Sequence, residues 1–261
     1  MSSRSLQVTF PGSRGASLAA RLDLPSDSPQ SYALFAHCFT CSKDLRAASK
    51  IASVLVSRGL GVLRFDFTGL GSSEGEFANT NFSSNKEDVR LAALWLDHHH
   101  GPTRLLIGHS LGGAAVLAVA SDLPEVAAVA TIGAPADVRH VESLLRGITA
   151  TIEREGEALV TLAGRSFKIR RQFLEDIRSR RLIHRVAGLE QAVLFLHSPT
   201  DLTVGLENAR RLFEAAPHPK SFVALAGADH LLTEVRDAAY AADVIAAWAG
   251  RYLPMDGSFR A

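Results

Sequence analysis

The chain has 261 residues, 47% of them hydrophobic and 21% charged, with a formal net charge of +1. That content fills one sizeable core, so a single domain carrying an inserted segment is expected in place of two equal ones. The near-zero charge offers no general attraction to nucleic acid or to an acidic membrane. The opening Met1-Ser2-Ser3-Arg4-Ser5 lacks a leader's apolar run, and eighteen consecutive apolar residues occur nowhere. Two cysteines, Cys38 and Cys41, are too few for a secreted disulfide scaffold, and a soluble cytoplasmic protein is expected.

Leu6 to Phe10 and Ser17 to Leu22, separated by the turn-forming Pro11-Gly12-Ser13, read as an opening hairpin. Strands and helices then alternate. Tyr32 to Ala36 reads as a strand, Asp44 to Arg58 as a helix, Gly61 to Phe67 as a strand and Ser84 to His98 as a helix. Arg104 to Ile107 is a short apolar run suited to a buried strand, and the alanine-rich Leu111 to Ala120 is a helix able to press closely on a sheet. Val126 to Ile132, Gln191 to His197 and Ser221 to Ala226 read as further strands. Leu206 to Ala215 is a helix, and a last helix lies within Leu231 to Arg251. Such alternation predicts a mainly parallel sheet covered by helices on both faces.

Between Ala136 and Leu189 the alternation breaks, in a stretch holding eleven Arg or Lys residues. The core is therefore assigned to residues 1–135 and 190–261, and an inserted cap to 136–189. Within the insertion Leu159 to Leu162 and Arg165 to Ile169 alternate apolar and polar residues around Ala163-Gly164. This predicts a hairpin over about 158–169, flanked by helices that include Gln172 to Arg178. Placed after the sixth core strand, the segment is expected to lie over the carboxyl ends of the strands, where open α/β sheets bind ligands. Most of its arginines are expected to form a solvated face.

Gly108-His109-Ser110-Leu111-Gly112 lies between the strand ending at Ile107 and the helix from Leu111. In that context G-x-S-x-G is the sharp turn that exposes a serine hydroxyl for nucleophilic attack, the glycines leaving room where side chains would strike neighbouring backbone. A serine needs a base and an orienting acid. Asp201 follows the strand Val193 to Leu196 and His230 follows Phe222 to Leu225, so both emerge at the edge that carries Ser110. In this reading His230 takes the serine proton and passes it to the leaving group, while Asp201 fixes the imidazole. Asp229, adjacent to His230, is a weaker rival to Asp201, and His218 belongs to the opposite sheet edge. His37, His109 and His197 sit near strand ends as pocket-lining candidates. The oxyanion requires two donors, for which the backbone N–H groups of Leu111 and Phe39 are chosen. Phe39, Leu111, Phe167 and Phe173 are candidate walls of the pocket.

Cys38 and Cys41 form C-x-x-C between a strand and a helix, a placement that also suits thiol redox chemistry. A thioredoxin-like reading leaves Ser110, Asp201 and His230 unexplained, and a zinc site on His37, Cys38 and Cys41 crowds its ligands into one turn. The expectation retained is that oxidation of the pair slows the enzyme by distorting the loop of Phe39. Gly69-Leu70-Gly71 is read as a tight turn, and His98-His99-His100 as the decorated end of a helix. No cofactor and no metal are expected.

The elbow GHSLGG with Asp201 and His230 resembles the α/β hydrolases over essentially the whole chain. Longer strings, AHCFTCSKDLRA, VLRFDFTGLGSSEGEF, NFSSNKEDV, TIGAPAD and AGRSFKIRRQFLEDI, are similar to the hydrolase half of bacterial proteins in which this domain is fused to an OsmC-type peroxide-reducing domain. The resemblance implies an α/β-hydrolase fold, with an N-terminal antiparallel hairpin and an inserted lid, and esterase activity on small to medium acyl esters. The chain ends at Ala261, so the peroxidase chemistry is not carried over. A serine at the elbow excludes cousins that use aspartate or cysteine there. Thioester hydrolysis, perhydrolysis and acyl transfer use the same three residues, and a non-catalytic module docking an OsmC-type partner is the alternative of another class. The expected partner is a small ester, with no nucleic acid or membrane, and the oligomeric state is left open.

Overall fold

The computed structural model describes residues 3–253 except 146 and 163. Ala163, at the expected hairpin turn, and Arg146, one of the insertion's basic residues, lie outside the described residues. Strand β1 (Arg4–Pro11) pairs antiparallel with β2 (Ser17–Leu24) as the opening hairpin. Along β2 Leu18, Ala20, Leu22 and Leu24 are buried while their neighbours are not, the period-two pattern of a strand with one wet face. The chain continues as β3 (Ser31–Ala36), α1 (Arg46–Ser57), β4 (Leu60–Phe65), α2 (Phe82–His99), β5 (Thr103–His109) and α3 (Leu111–Val119). After β6 (Ala128–Ile132) comes the segment with α4 (Thr149–Glu155), the two-stranded β7 (Glu157–Leu162) and β8 (Arg165–Arg170), α5 (Arg171–Ser179) and α6 (Leu182–Ala187). The core resumes with β9 (Ala192–His197), α7 (Glu207–Ala215), β10 (Lys220–Ala224) and α8 (Val235–Ala249).

The eight-stranded sheet has the order β1-β2-β4-β3-β5-β6-β9-β10, parallel from β4 to β10. Its central strands are buried on both faces and so read as continuous apolar runs. Alternate residues serve opposite cores. Phe35, Ile107, Ala130 and Leu196 pack with α1 and α8, whereas Leu34, Leu106, Val129 and Phe195 pack with α2 and α3. The inserted segment extends the second core through Val141, Ile152, Phe173, Leu174 and Ile177. Register brings Ala36 level with Gly108, His109 level with Ile132, and His197 level with Ala224. Ala36 is also level with Phe65 of β4, so six parallel strands release their loops at one edge. Among the described residues no helix is long and apolar enough to cross a membrane.

Several boundaries differ from those expected, three of them for a clear local reason. The strand expected to Phe67 ends at Phe65, because Asp66 turns its carboxylate back onto the loops beside it. Helix α2 starts at Phe82 and not Ser84, since Asn81 and Ser84 exchange hydrogen bonds as a capping box, each 2.9 Å long. Helix α1 starts at Arg46 and not Asp44, because the Lys43 N–H is donated to Asp66 and Leu45 closes a turn on Ser42.

Candidate active site

Ser110 joins β5 to α3 with φ 55° and ψ −122°, a left-handed conformation that costs a non-glycine residue about 1–3 kcal/mol and persists only where its surroundings enforce it. Here its N–H donates to the Ile132 carbonyl (2.8 Å) and its carbonyl accepts from the Gly113 N–H (2.9 Å). The glycines beside it are dictated by space. A Cβ on Gly108 would lie 2.4 Å from the Gly112 oxygen, and one on Gly112 would lie 2.4 Å from the carbonyl oxygens of Ala36 and His37. Backbone cannot yield as a side chain can.

The loops after β9 and β10 are tied together by Ser198 Oγ donating to the Ala228 carbonyl at 2.6 Å. They carry Asp201 and His230 to the elbow. His230 Nε2 lies 3.0 Å from Ser110 Oγ, and its Nδ1 lies 2.7 Å from Asp201 Oδ2. The other oxygen, Oδ1, accepts the N–H groups of Thr203 (2.8 Å) and Val204 (2.9 Å). Burial pushes the Asp201 carboxyl up, but the hydrogen bonds from His230 and these N–H groups outweigh it and hold it below its ordinary value. An ionised Asp201 fixes the proton on Nδ1, leaving Nε2 to accept the serine hydroxyl proton. Asp229 instead binds the N–H and hydroxyl of Thr233 in its own turn.

Sequence reasoning named His109 and His197 as pocket-lining candidates and missed that they hold this line in place. His109 Nε2 donates to the His230 carbonyl at 2.7 Å, and burial, then the neighbouring His230, lowers its pKa to about 4, so it is a neutral tie. His197 Nε2 likewise donates to the Val204 carbonyl at 2.7 Å, and burial lowers its pKa. Both histidines are thus buried supports and not pocket lining. Gly133, at φ 57°, presents bare backbone to the base: a Cβ there would stand 3.3 Å from the His230 ring and 3.4 Å from Asp201 Oδ2. The lone glycine of TIGAPAD was the available signal.

The Leu111 N–H opens α3, a position with no acceptor inside its own helix. Phe39 and Leu111 border one small cavity, together with Gly112 and Asn85. The loop carrying Phe39 is closed by a Cys38–Cys41 disulfide with the Cα atoms 5.3 Å apart, and Thr40 between them has φ 62°. Neither thiol is free, and His37 Nδ1 donates to the Cys38 carbonyl at 2.8 Å. The three residues weighed as zinc ligands are therefore committed elsewhere. Phe39 packs 5.6 Å from Phe77 and 5.7 Å from Phe173, and Phe77 packs 5.1 Å from Phe167. Two rings of the inserted segment thus meet two from core loops, and Phe77, on the stretch between β4 and α2, was missed. The exposed ends of the site are Ser110, half-buried, and His230, whose side chain is 10% exposed against 1% for Asp201, so the hydroxyl and the imidazole edge are the parts open to solvent.

A profile of the alpha/beta hydrolase family matches residues 33–258. The crystal structure of the esterase domain from a Rhodothermus marinus protein is 54% identical, with a TM-score of 0.80, over 97% of this chain and 100% of that one. Mouse mitochondrial palmitoyl-protein thioesterase ABHD10 is 30% identical over 190 residues, 69% of this chain. The match spans 62% of that protein's length. The structure of mouse alpha/beta hydrolase domain-containing protein 10 shares the fold, with a TM-score of 0.76 at 22% identity over 94% of this chain and 99% of that one. The chain belongs to the alpha/beta hydrolase family.

Proposed function

We propose that the protein is a serine esterase that hydrolyses small to medium acyl esters through an acyl-enzyme. The observation that carries this reading is the line of hydrogen bonds from Ser110 Oγ to His230 to Asp201 at a strained strand-to-helix turn. Ser110 Oγ attacks the ester carbonyl as His230 Nε2 takes its proton, and the ionised Asp201 stabilises the imidazolium. The carbonyl oxygen, now negative, receives the N–H groups of Leu111 and Phe39. His230 then protonates the departing alcohol, and water repeats the sequence to release the acid and restore the serine. The packed rings of Phe39, Phe77, Phe167 and Phe173 favour a short acyl group in the site.

The similarity to an esterase domain at 54% identity supports the reaction class. Thioester hydrolysis is the second reading, favoured by the similarity to a palmitoyl-protein thioesterase, and it differs only in the leaving group, a thiolate in place of an alkoxide. Hydrolysis of p-nitrophenyl esters from acetate to palmitate, beside the matching acyl thioesters, separates the two. Esterase function predicts the best kcat/KM on short oxygen esters, and rates that rise toward long-chain thioesters would contradict it. A folded protein that turns over none of them would instead be a binding module.

A further inference from the structure

Lysine is seldom buried, yet Lys43 is 6% exposed and lies beside Asp66, which is fully enclosed. Its Nζ donates to Asp66 Oδ2 and to Asp44 Oδ2, each at 2.9 Å, and its backbone N–H donates to Asp66 Oδ1 at 2.6 Å. Burial pushes the ammonium down, but the carboxylates outweigh it and hold its pKa above the ordinary lysine value. Asp66 Oδ2 also accepts the Ser72 N–H at 2.9 Å, in a space that exists because Gly71 has no side chain: a Cβ there would lie 2.2 Å from the carboxylate. Arg64, also buried, donates to the Lys43 carbonyl and is held on Asp23 at 2.7 Å.

The other end of the same loop is held by His37. Its Nδ1 donates to the Cys38 carbonyl (2.8 Å), its Nε2 accepts the Phe67 N–H at 3.5 Å, and Nε2 lies 3.8 Å from Asp66 Oδ1. The loop from His37 to Lys43 is therefore fastened at both ends to the turn after β4. None of its bonds runs to Ser110, His230 or Asp201. Buried ion pairs are a weak source of stability, because desolvation consumes most of the attraction. What this one does have is a geometric consequence: the loop it fastens carries Phe39, with the unfavourable φ of Thr40 next to it. We infer that Asp66, acting through Lys43, is the positioning residue that aims the Phe39 N–H at the oxyanion formed on Ser110. The inference rests on the serine-esterase reading and adds to it the residues that set the second donor.

The test compares kcat, KM and the affinity for a trifluoromethyl ketone, which forms a tetrahedral adduct, with that for the matching methyl ketone, which mimics bound substrate. Lys43→Met keeps the aliphatic stem and removes the ammonium. Its expected signature is a fall in kcat of about 10- to 100-fold, somewhat below the cost of deleting a donor outright. KM should stay within about twofold, and trifluoromethyl ketone affinity should fall in parallel with kcat while methyl ketone affinity holds. The isosteric Asp66→Asn carries the same expectation and serves if Lys43→Met does not fold. Asp88→Asn is the control for a purely structural loss: this buried carboxylate holds Ser13 and Thr68, and its loss should lower Tm while leaving kcat intact. A Lys43→Met protein with lowered Tm but full kcat and an unchanged ratio of ketone affinities overturns the inference and leaves the esterase reading standing. Ester turnover by Ser110→Ala equal to that of the wild type overturns both.

Discussion

The elbow edge of the sheet and the inserted segment are held together by different means, and under the proposed function the contrast separates the part that would set chemistry from the part that would set choice of substrate. At the elbow, the constraints are backbone. The glycines 108 and 112 face carbonyl oxygens at 2.4 Å from where a Cβ would sit, and the three reactive side chains are fixed by N–H groups and by two buried neutral histidines. In the insertion, by contrast, glycines 147, 156 and 164 would meet nothing within 4 Å on gaining a Cβ. Its arginines are largely spent on partly exposed pairs, such as Arg178 with Glu142 and Glu153. Exposed pairs of this kind contribute about 0–1 kcal/mol each. Its anchors are the apolar side chains it adds to the second core, among them Val141, Leu145, Ile152, Ile169 and Val186 besides the buried face of α5, and Asp176, which accepts the N–H and hydroxyl of Ser83 at the start of α2. Under the proposed function, the part that would do the chemistry is thus constrained by backbone on every side, while the aromatic wall proposed to meet the acyl group is partly carried on a segment whose glycines leave open space.

The largest expected break in that contrast comes from paired glycine substitutions. Gly112→Ala drives a methyl into the Ala36 and His37 carbonyls, so it should reduce kcat by about 100-fold or more and cost several kcal/mol of stability. Gly156→Ala, strained only by its φ of 90°, should cost about 1 kcal/mol and leave kcat alone. Equal kinetic damage from both would erase the distinction.

Next in size is the response to acid. His109 titrates near pH 4 in the folded protein and near 6.5 when unfolded, so between those values the unfolded chain binds the proton and the folded one does not. Stability is therefore full above about pH 6.5 and falls as the pH drops toward 4, by about 3 kcal/mol from this group. His37 and His197, depressed by burial, add in the same sense. Asp201, also depressed, withdraws its contribution only at lower pH. Thermal melts from pH 7.5 to 4.5 measure the slope, and His109→Gln, whose amide can still donate to the His230 carbonyl, should flatten it. An unchanged slope in that variant would count against the assignment.

Phe173→Ala, which opens the wall from the insertion side, should raise the ratio of kcat/KM for octanoate over acetate esters several-fold at some loss of stability. A fixed ratio would place the acyl group elsewhere. The smallest effect belongs to Glu153→Gln, expected within about 1 kcal/mol in urea melts and silent in turnover.

Much of the sheet was legible in the chain because doubly buried parallel strands are unbroken apolar runs, and helices α1 to α3 lie between them at regular intervals. The elbow was legible because its glycines follow from local backbone geometry, and Asp201 and His230 because each follows a strand directly. The supports were not. The role of His109 depends on where a side chain points from a strained turn, and the Asp66–Lys43 bond joins residues 23 positions apart. Phe77 acquires its role only when the insertion folds back onto it. C-x-x-C does not tell a pair of thiols from the disulfide that the structure contains. Besides Gly133, Asn81 with Ser84 was a readable signal left unused, and it moved the start of α2 by two residues.

The central claim is that Ser110 is the nucleophile and that His230 activates it. Mass spectrometry after brief exposure to a fluorophosphonate tests this most directly. The account predicts a single adduct on the peptide containing Ser110, absent from Ser110→Ala and formed at least about 100-fold more slowly in His230→Ala. An adduct on any other residue, or none on a folded protein that still hydrolyses esters, would contradict it.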